Sequence, residues 1–425
     1  MLYDLWRHVR DAQPDALALR ELATGRSWTF SQLDAAAQHE TAAAPIVFPQ
    51  GNDAAFVISV LRAWRHGQLL CPLDLGQTAP AIDPAALLSR HPDAVHLKTT
   101  SASTGSARVV VFNAAQLAAD AAQIVSTMDL RADWPNVGVI SLAHSYGFSN
   151  LVLPLLLHGI PLLLAESQLP ESFRRAASAF QQMTVAAVPA LWRAWHDGNA
   201  IPPNVQLAIS AGAPLPLPLE HDIFQKRGLK IHNFYGASEC GGIAYDRTAT
   251  PRSDATCVGS PMDAVQLTLN SAGCLEVRGA NVGCGYWPEA DDALSGGTFR
   301  TSDLAELRDR GVFLRGRASD LINVAGRKLS PETVERALLQ HPAVRACLVL
   351  GVPGPDDTRS ETIAAVVATT GSERAEDFRQ FLLTKLPAWQ VPREWRLVES
   401  LEVNARGKLS RAEWRRRWGS SKGVL

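Results

Sequence analysis

The sequence predicts an α/β protein: a large N-terminal α/β domain over residues 1–316 with a small β-rich subdomain at about 255–316, then a smaller α+β C-terminal domain over 317–425. Three observations carry this. Helical and strand-like apolar patterns alternate between residues 56 and 188, the rhythm of helices layered on a largely parallel sheet. After about Asp254 the helical spacing recedes and short strand-like runs punctuated by glycine take over. Past Gly316 the mixture resumes for a stretch of ordinary domain size, and 425 residues at the typical ~100–200 per domain leave room for both units.

In chain order, Phe56 to Trp64 has the spacing of an amphipathic helix, and Leu69 to Leu75 reads as a short buried strand turning at Pro72. Ala114–Met128 predicts a helix, Val137–Leu142 a strand, Leu151–Leu157 a helix in spite of Pro154, and Pro161–Leu164 a strand. Glu171–Met183 predicts a helix and Val185–Val188 a strand. Strands follow at Val265–Leu269, Cys274–Arg278 and Gly311–Arg315. Ser330–Gln340 is a helix opened by Pro331, Ala346–Val352 and Thr362–Thr369 are strands, and Glu376–Leu386 is a helix.

Composition narrows the function. Hydrophobic residues at 46% and charged residues at 20% are globular values, and 41 Lys plus Arg against 42 Asp plus Glu leave a formal charge of -1. No global excess recommends nucleic acid or an anionic membrane as a partner, so a charged ligand must be held locally. Six cysteines without a CxxC pair read as scattered buried thiols, which with an N-terminus lacking the pattern of a secretory signal favours a cytoplasmic protein. The most apolar region, Val139 to Leu164, is broken by His144, Ser145, Asn150, Pro154, His158 and Pro161 and predicts no membrane span.

Four segments carry chemistry. Thr99 to Arg108 is a run of small hydroxyl residues ending in a cation, a natural cradle for phosphate oxygens, although such a string taken alone is more often a polar turn. His232 to Glu239 places an aromatic ring beside Gly236, where a planar base can approach, then a phosphate donor in Ser238 and a hard-metal ligand in Glu239. Asp303 can accept two hydroxyls of a ribose diol, with Arg317 a short strand further on. Lys408, on a glycine-containing turn, can neutralise charge developing on a phosphate and a carboxylate.

In this order the segments resemble the superfamily of adenylate-forming enzymes: acyl- and aryl-CoA synthetases, the adenylation domains of peptide synthetases, and luciferases. The resemblance spans most of the chain. It rests on the 101–108 loop, His144-Ser145-Tyr146-Gly147, Ser210-Ala211-Gly212-Ala213-Pro214-Leu215, Tyr235-Gly236-Ala237-Ser238-Glu239, Gly283-Cys284-Gly285-Tyr286-Trp287, Thr301-Ser302-Asp303, Gly316-Arg317-Ala318-Ser319-Asp320, Gly326-Arg327-Lys328-Leu329 and Gly407-Lys408. It implies activation of a carboxylic acid by ATP as an acyl-adenylate, then transfer to a thiol. Ser101, Ser103, Thr104, Gly105 and Arg108 would hold the β- and γ-phosphates, Thr104 and Glu239 Mg²⁺, and Gly212, Ala213, Pro214, Tyr235, Gly236 and Ala237 the adenine side. Ser238 would contact the α-phosphate, Asp303 and Arg317 the ribose, and Lys408 the carboxylate and α-phosphate in the first step. The C-terminal domain of this family is mobile. It would turn about Gly316–Asp320 to remove Lys408 and bring Asn323, Gly326 and Arg327 to a pantetheine tunnel. The loop departs from the family pattern at Ala102, Ala107 and Arg108, where glycine, proline and lysine are usual.

His144 falls where relatives orient the adenylate near the acyl pocket. With His, Ser, Tyr and Phe there and no acidic partner for an α-amino group, the reading favours a non-amino, aromatic acid. The acceptor is free coenzyme A or, alternatively, the phosphopantetheine of an acyl carrier protein, and the sequence does not choose. A non-catalytic nucleotide-binding homologue is the alternative of another class.

Overall fold

The structure is a computed structural model that describes residues 1–38, 44–100, 108–177, 180–354, 361–369, 371, 373–401 and 411–420. Among these, the largest sheet has nine strands. Its middle is parallel, running Leu17–Glu21, Leu162–Leu164, Asn136–Gly138, Met183–Ala187, Val205–Ser210, Ile231–Ala237, with antiparallel strands closing both edges. The central strands are buried along their length, as expected of parallel strands covered on both faces. Beside it, Gly285–Trp287, Val109–Asn113, Ala94–Thr99, Leu69–Leu70 and Ile46–Val47 form a five-stranded sheet.

Helix ends follow local chemistry. Asn113 and Gln116 make a reciprocal capping box at the start of Ala114–Met128, and Asp129 ends it in the left-handed region at φ 52°. Thr29 with Gln32 opens Phe30–Ala36 in the same way, and Asp53 caps Ala54–Arg65 through the Phe56 N–H. Pro154 is tolerated because it falls in the first turn of Leu153–His158, after a π-helical turn at Phe148–Val152. No helix among the described residues is long and apolar enough to cross a membrane.

Two expectations are corrected here. The helix from Pro170 stops at Ala177, and Met183 opens the strand Met183–Ala187. That strand is buried on both faces, so its apolar run carries no alternation to separate it from the helix before it. The strand expected over Val137–Leu142 is Asn136–Gly138 only. Beyond it, the Val139 carbonyl accepts from Gln168 and the Leu142 N–H donates to Asn52, so side chains take the backbone groups that a neighbouring strand would have used.

From residue 266 a further five-stranded sheet contains Gln266–Leu269, Cys274–Arg278, Leu294–Ser295, Thr298–Arg308 and Gly311–Arg317. Gly285–Trp287 leaves this group to pair with Val109–Asn113, which ties the stretch to the earlier sheet. The smaller C-terminal part has its own apolar cluster around Val334, Leu338, Val349, Ala365 and Phe378. Its strands Val344–Pro353, Glu361–Thr369 and Glu394–Val398 carry the helices Pro331–Leu338, Ala375–Leu383 and Arg411–Ser420. Trp414 and Trp418 pack on this sheet beside Leu350 and Val366.

Candidate active site

The C-terminal ends of the parallel strands converge on one side of the large sheet, where ligands of open α/β sheets bind. Val205–Ser210 ends in Ala211, which is buried, then Gly212, Ala213 and Pro214, which are exposed. Gly212 sits at φ 84°, a conformation that glycine adopts without strain. The adjacent Ile231–Ala237 leads through Ser238, Glu239 and Cys240 into Gly241–Tyr245. This short loop is fixed from outside itself: the Gly283 N–H donates to the Glu239 carbonyl at 2.9 Å, Asn281 donates to the Cys240 carbonyl, and the Gly242 N–H donates to Asp120 at 3.2 Å.

Tyr235, Asp303 and Arg317 meet. The Tyr235 hydroxyl donates to Asp303 Oδ2 at 2.5 Å and Arg317 Nε donates to Oδ1 at 2.9 Å. Asp303 and Arg317 are direct partners in the antiparallel ladder of Thr298–Arg308 and Gly311–Arg317, so the sheet itself sets their approach. Burial, with the Asp303 carboxylate beside it, pushes the Tyr235 phenol well up and keeps it a donor.

Glu239 lies next to this group. Tyr286 donates to its Oε1 at 3.0 Å, and the Arg108 guanidinium stands over the Tyr286 ring, 4.3 Å from its centroid. Arg108 also pairs with Asp291 at 2.7 Å. Burial raises the Glu239 pKa, and the positive charges of Arg317 and Arg108 only partly offset it. A half-buried, incompletely compensated carboxylate suits a divalent cation. Among the described residues no cluster of three or more His, Cys, Asp or Glu could hold a metal; an ion at Glu239 would take its other ligands from phosphate and water, as Mg²⁺ commonly does.

The structure brings Arg108, Tyr235, Ser238, Glu239, Asp303 and Arg317 into one neighbourhood. His144 is on the neighbouring turn 141–147, at the start of Ser145–Gly147, and its Nε2 lies 2.8 Å from Asp74. Asn323, Gly326 and Arg327 share one exposed hairpin, Ile322–Val324 with Arg327–Leu329, where Asn323 Oδ1 accepts from the Gly326 N–H and Arg327 lies over Trp389. Ser101, Ser103, Thr104, Gly105 and Lys408 lie outside the described residues. Tyr286, Asp291, Asp120 and Asp74 had no assigned role in the sequence reading, since their contacts join positions 29 to 183 residues apart.

A tyrosine, two acids and two arginines thus gather beside the large sheet. The chain belongs to the AMP-binding enzyme family, whose model matches residues 72–287, with the family's C-terminal domain matching 333–408. It is similar to anthranilate–CoA ligase of Pseudomonas aeruginosa, 29% identical over 82% of this chain and 70% of that protein. It is also similar to a probable 2-succinylbenzoate–CoA ligase of Mycobacterium tuberculosis, 30% identical over 77% of this chain and 85% of that one. Its fold matches o-succinylbenzoate coenzyme A synthetase of Bacillus subtilis, solved with its acyl-adenylate intermediate, at a TM-score of 0.83 and 19% identity over 96% and 97% of the two chains.

Proposed function

We propose that this protein is an AMP-forming acid–thiol ligase that activates an aromatic carboxylic acid with ATP and passes the acyl group to coenzyme A. The observation that carries the reading is the contiguity of Tyr235, Asp303 and Arg317 with Glu239, Tyr286 and Arg108; of these, Arg108, Tyr235, Glu239 and Tyr286 lie in the stretch that the family model matches. Relatives named for CoA ligation of ring-bearing acids support both the aromatic acid and the CoA acceptor, and the relatives described above give no support to an acyl carrier protein.

In this reading the acid's carboxylate attacks the α-phosphorus, the bond to pyrophosphate breaks, and a thiol then displaces AMP from the acyl carbon. Asp303 accepts from the ribose hydroxyls with Arg317 beside it, and Tyr235 with Gly212, Ala213, Pro214, Gly236 and Ala237 frames adenine. Ser238 donates to the α-phosphate, Glu239 holds Mg²⁺, which neutralises phosphate charge when bound, and Arg108 receives the distal phosphates with Ser101, Ser103, Thr104 and Gly105. Lys408 stabilises the charge that builds on the attacked phosphate. The hairpin of Asn323, Gly326 and Arg327 serves the thiol step.

The test is pyrophosphate release from ATP and Mg²⁺ over benzoates, cinnamates, fatty acids and amino acids, with and without CoA. Release that depends on a benzoate or cinnamate and rises with CoA is the expected result. ATP binding with no acid-dependent release would overturn the ligase reading in favour of a non-catalytic nucleotide-binding protein.

A further inference from the structure

Outside the nucleotide cluster, loops from separate strands meet around one carboxylate. Asp74 follows the strand Leu69–Leu70; its Oδ1 accepts from Ser141 Oγ at 2.8 Å, and its Oδ2 stands 2.8 Å from His144 Nε2. The Asp74 N–H donates to Gln77 Oε1 at 3.1 Å, and the Leu142 N–H donates to Asn52 Oδ1 at 2.8 Å, so both sides of the contact are anchored. His144 is 24% exposed and Asp74 20%, partly shielded yet within reach of a small molecule. The turn that carries His144 is closed on itself, since a Cβ on Gly147 would run into the Ser141 carbonyl. Two residues beyond His144, the Tyr146 ring lies 5.9 Å from that of Phe234, the neighbour of Tyr235, which sets the turn alongside the nucleotide cluster.

We propose that Asp74 is a positioning residue for the ligase reaction: it holds His144 in the tautomer with its proton on Nε2, leaving Nδ1 as the hydrogen-bond acceptor offered to the activated acid. The proposal rests on the ligase reading above, and on the expectation from the family resemblance that His144 orients the adenylate. Which imidazole nitrogen carries the proton is set by the partner of the other, and a carboxylate on Nε2–H fixes both tautomer and ring plane. A ring so fixed need not reorient as the acyl group is activated, which is where a positioned polar group gains its effect. Ser141, in turn, holds the carboxylate that holds the ring.

The experiment compares Asp74→Ala, Asp74→Asn, His144→Ala and the double variant, measuring adenylate formation and thioester formation separately. Asp74→Ala is expected to lower kcat about 10–100-fold, by analogy with the loss of groups that orient metal-bound histidines, with KM for ATP near the wild-type value. Asp74→Asn should recover part of the loss, because its amide oxygen still accepts from Nε2–H. In the His144→Ala background the loss of Asp74 should add less than about twofold, as for two groups acting as a unit. Losses that multiply in the double variant, or a His144→Ala enzyme of wild-type rate, would overturn the proposal. Nitrogen-15 NMR of the imidazoles gives a readout independent of turnover. The resonance missing from His144→Ala should report the Nε2–H tautomer in the wild type and a mixed population in Asp74→Ala, and an unchanged tautomer would overturn the proposal. The expected tautomer change in a protein that releases no pyrophosphate with any acid would sink the ligase reading and leave the Asp74–His144 pairing standing.

Discussion

In the proposed reaction Glu239 would answer to two opposed demands. To hold a divalent cation it must be ionised, yet its burial raises its pKa and favours the neutral acid. The sign of the consequence follows from linkage. A carboxyl whose folded pKa lies above its unfolded value adds stability at low pH and loses that contribution as pH rises through the folded value. Glu239→Gln should therefore raise the melting temperature of the ligand-free protein at neutral pH, and the gain should vanish on acidification toward the ordinary carboxylate range. The same substitution should lower Mg²⁺-dependent pyrophosphate release by about 100-fold, the scale of a lost charge contact in a phosphoryl-transfer site. Melting curves at several pH values, beside the rate assay, check both halves. Asp303 poses a simpler case. Asp303→Ala removes the acceptor shared by Tyr235 and Arg317 and should weaken ATP binding by about 10–100-fold, the usual worth of hydrogen bonds to a charged group; calorimetry with unchanged affinity would refute its ribose role.

At the scale of the element, the hairpin that carries Ser238 and Glu239 depends on Gly241. This residue sits at φ 67°, and a Cβ there would overlap the Asp120 carboxylate, itself buried with Lys98 and Ser149. Gly241→Ala should cost on the order of 2 kcal/mol, from left-handed strain together with overpacking, and should depress adenylate formation by moving Glu239. Denaturant unfolding and pyrophosphate release measure the two effects. The helix Ala114–Met128 beside this hairpin was legible to its ends, because Asn113, Gln116 and the apolar spacing are neighbours in sequence. Asp120 on that same helix was not, because its partners Lys98, Ser149 and Gly242 come from other elements. Tyr235, Asp303 and Arg317 could be singled out by residue type, whereas Tyr286 and Asp291 gain meaning only once the strand Gly285–Trp287 lies against Val109–Asn113.

At the scale of the whole molecule, the proposed reaction has two steps, and the mobile C-terminal domain that the family resemblance implies would give each its own arrangement. Lys408→Ala should suppress adenylate formation far more than thioester formation from preformed acyl-adenylate, by roughly 100-fold against a few-fold if the lysine serves the first transition state alone. Equal losses in single-turnover assays of the two steps would sink that division. Gly316 stands where the strand Gly311–Arg317 reaches the smaller unit, at φ 124° with Ser330 against the space a Cβ would fill. A little beyond, Arg411 of the last helix inserts between Asp320, Glu332 and Glu335 at 2.7–2.9 Å. A chain truncated before residue 411 would leave those three partly buried carboxylates facing one another with this cation gone, at a cost below the ~3–5 kcal/mol of a fully buried pair that loses one partner, since solvent still reaches them. The end of the sequence thus acts as a keystone for the smaller unit, and shortening it should loosen residues 320–335 before any residue of the nucleotide cluster is touched.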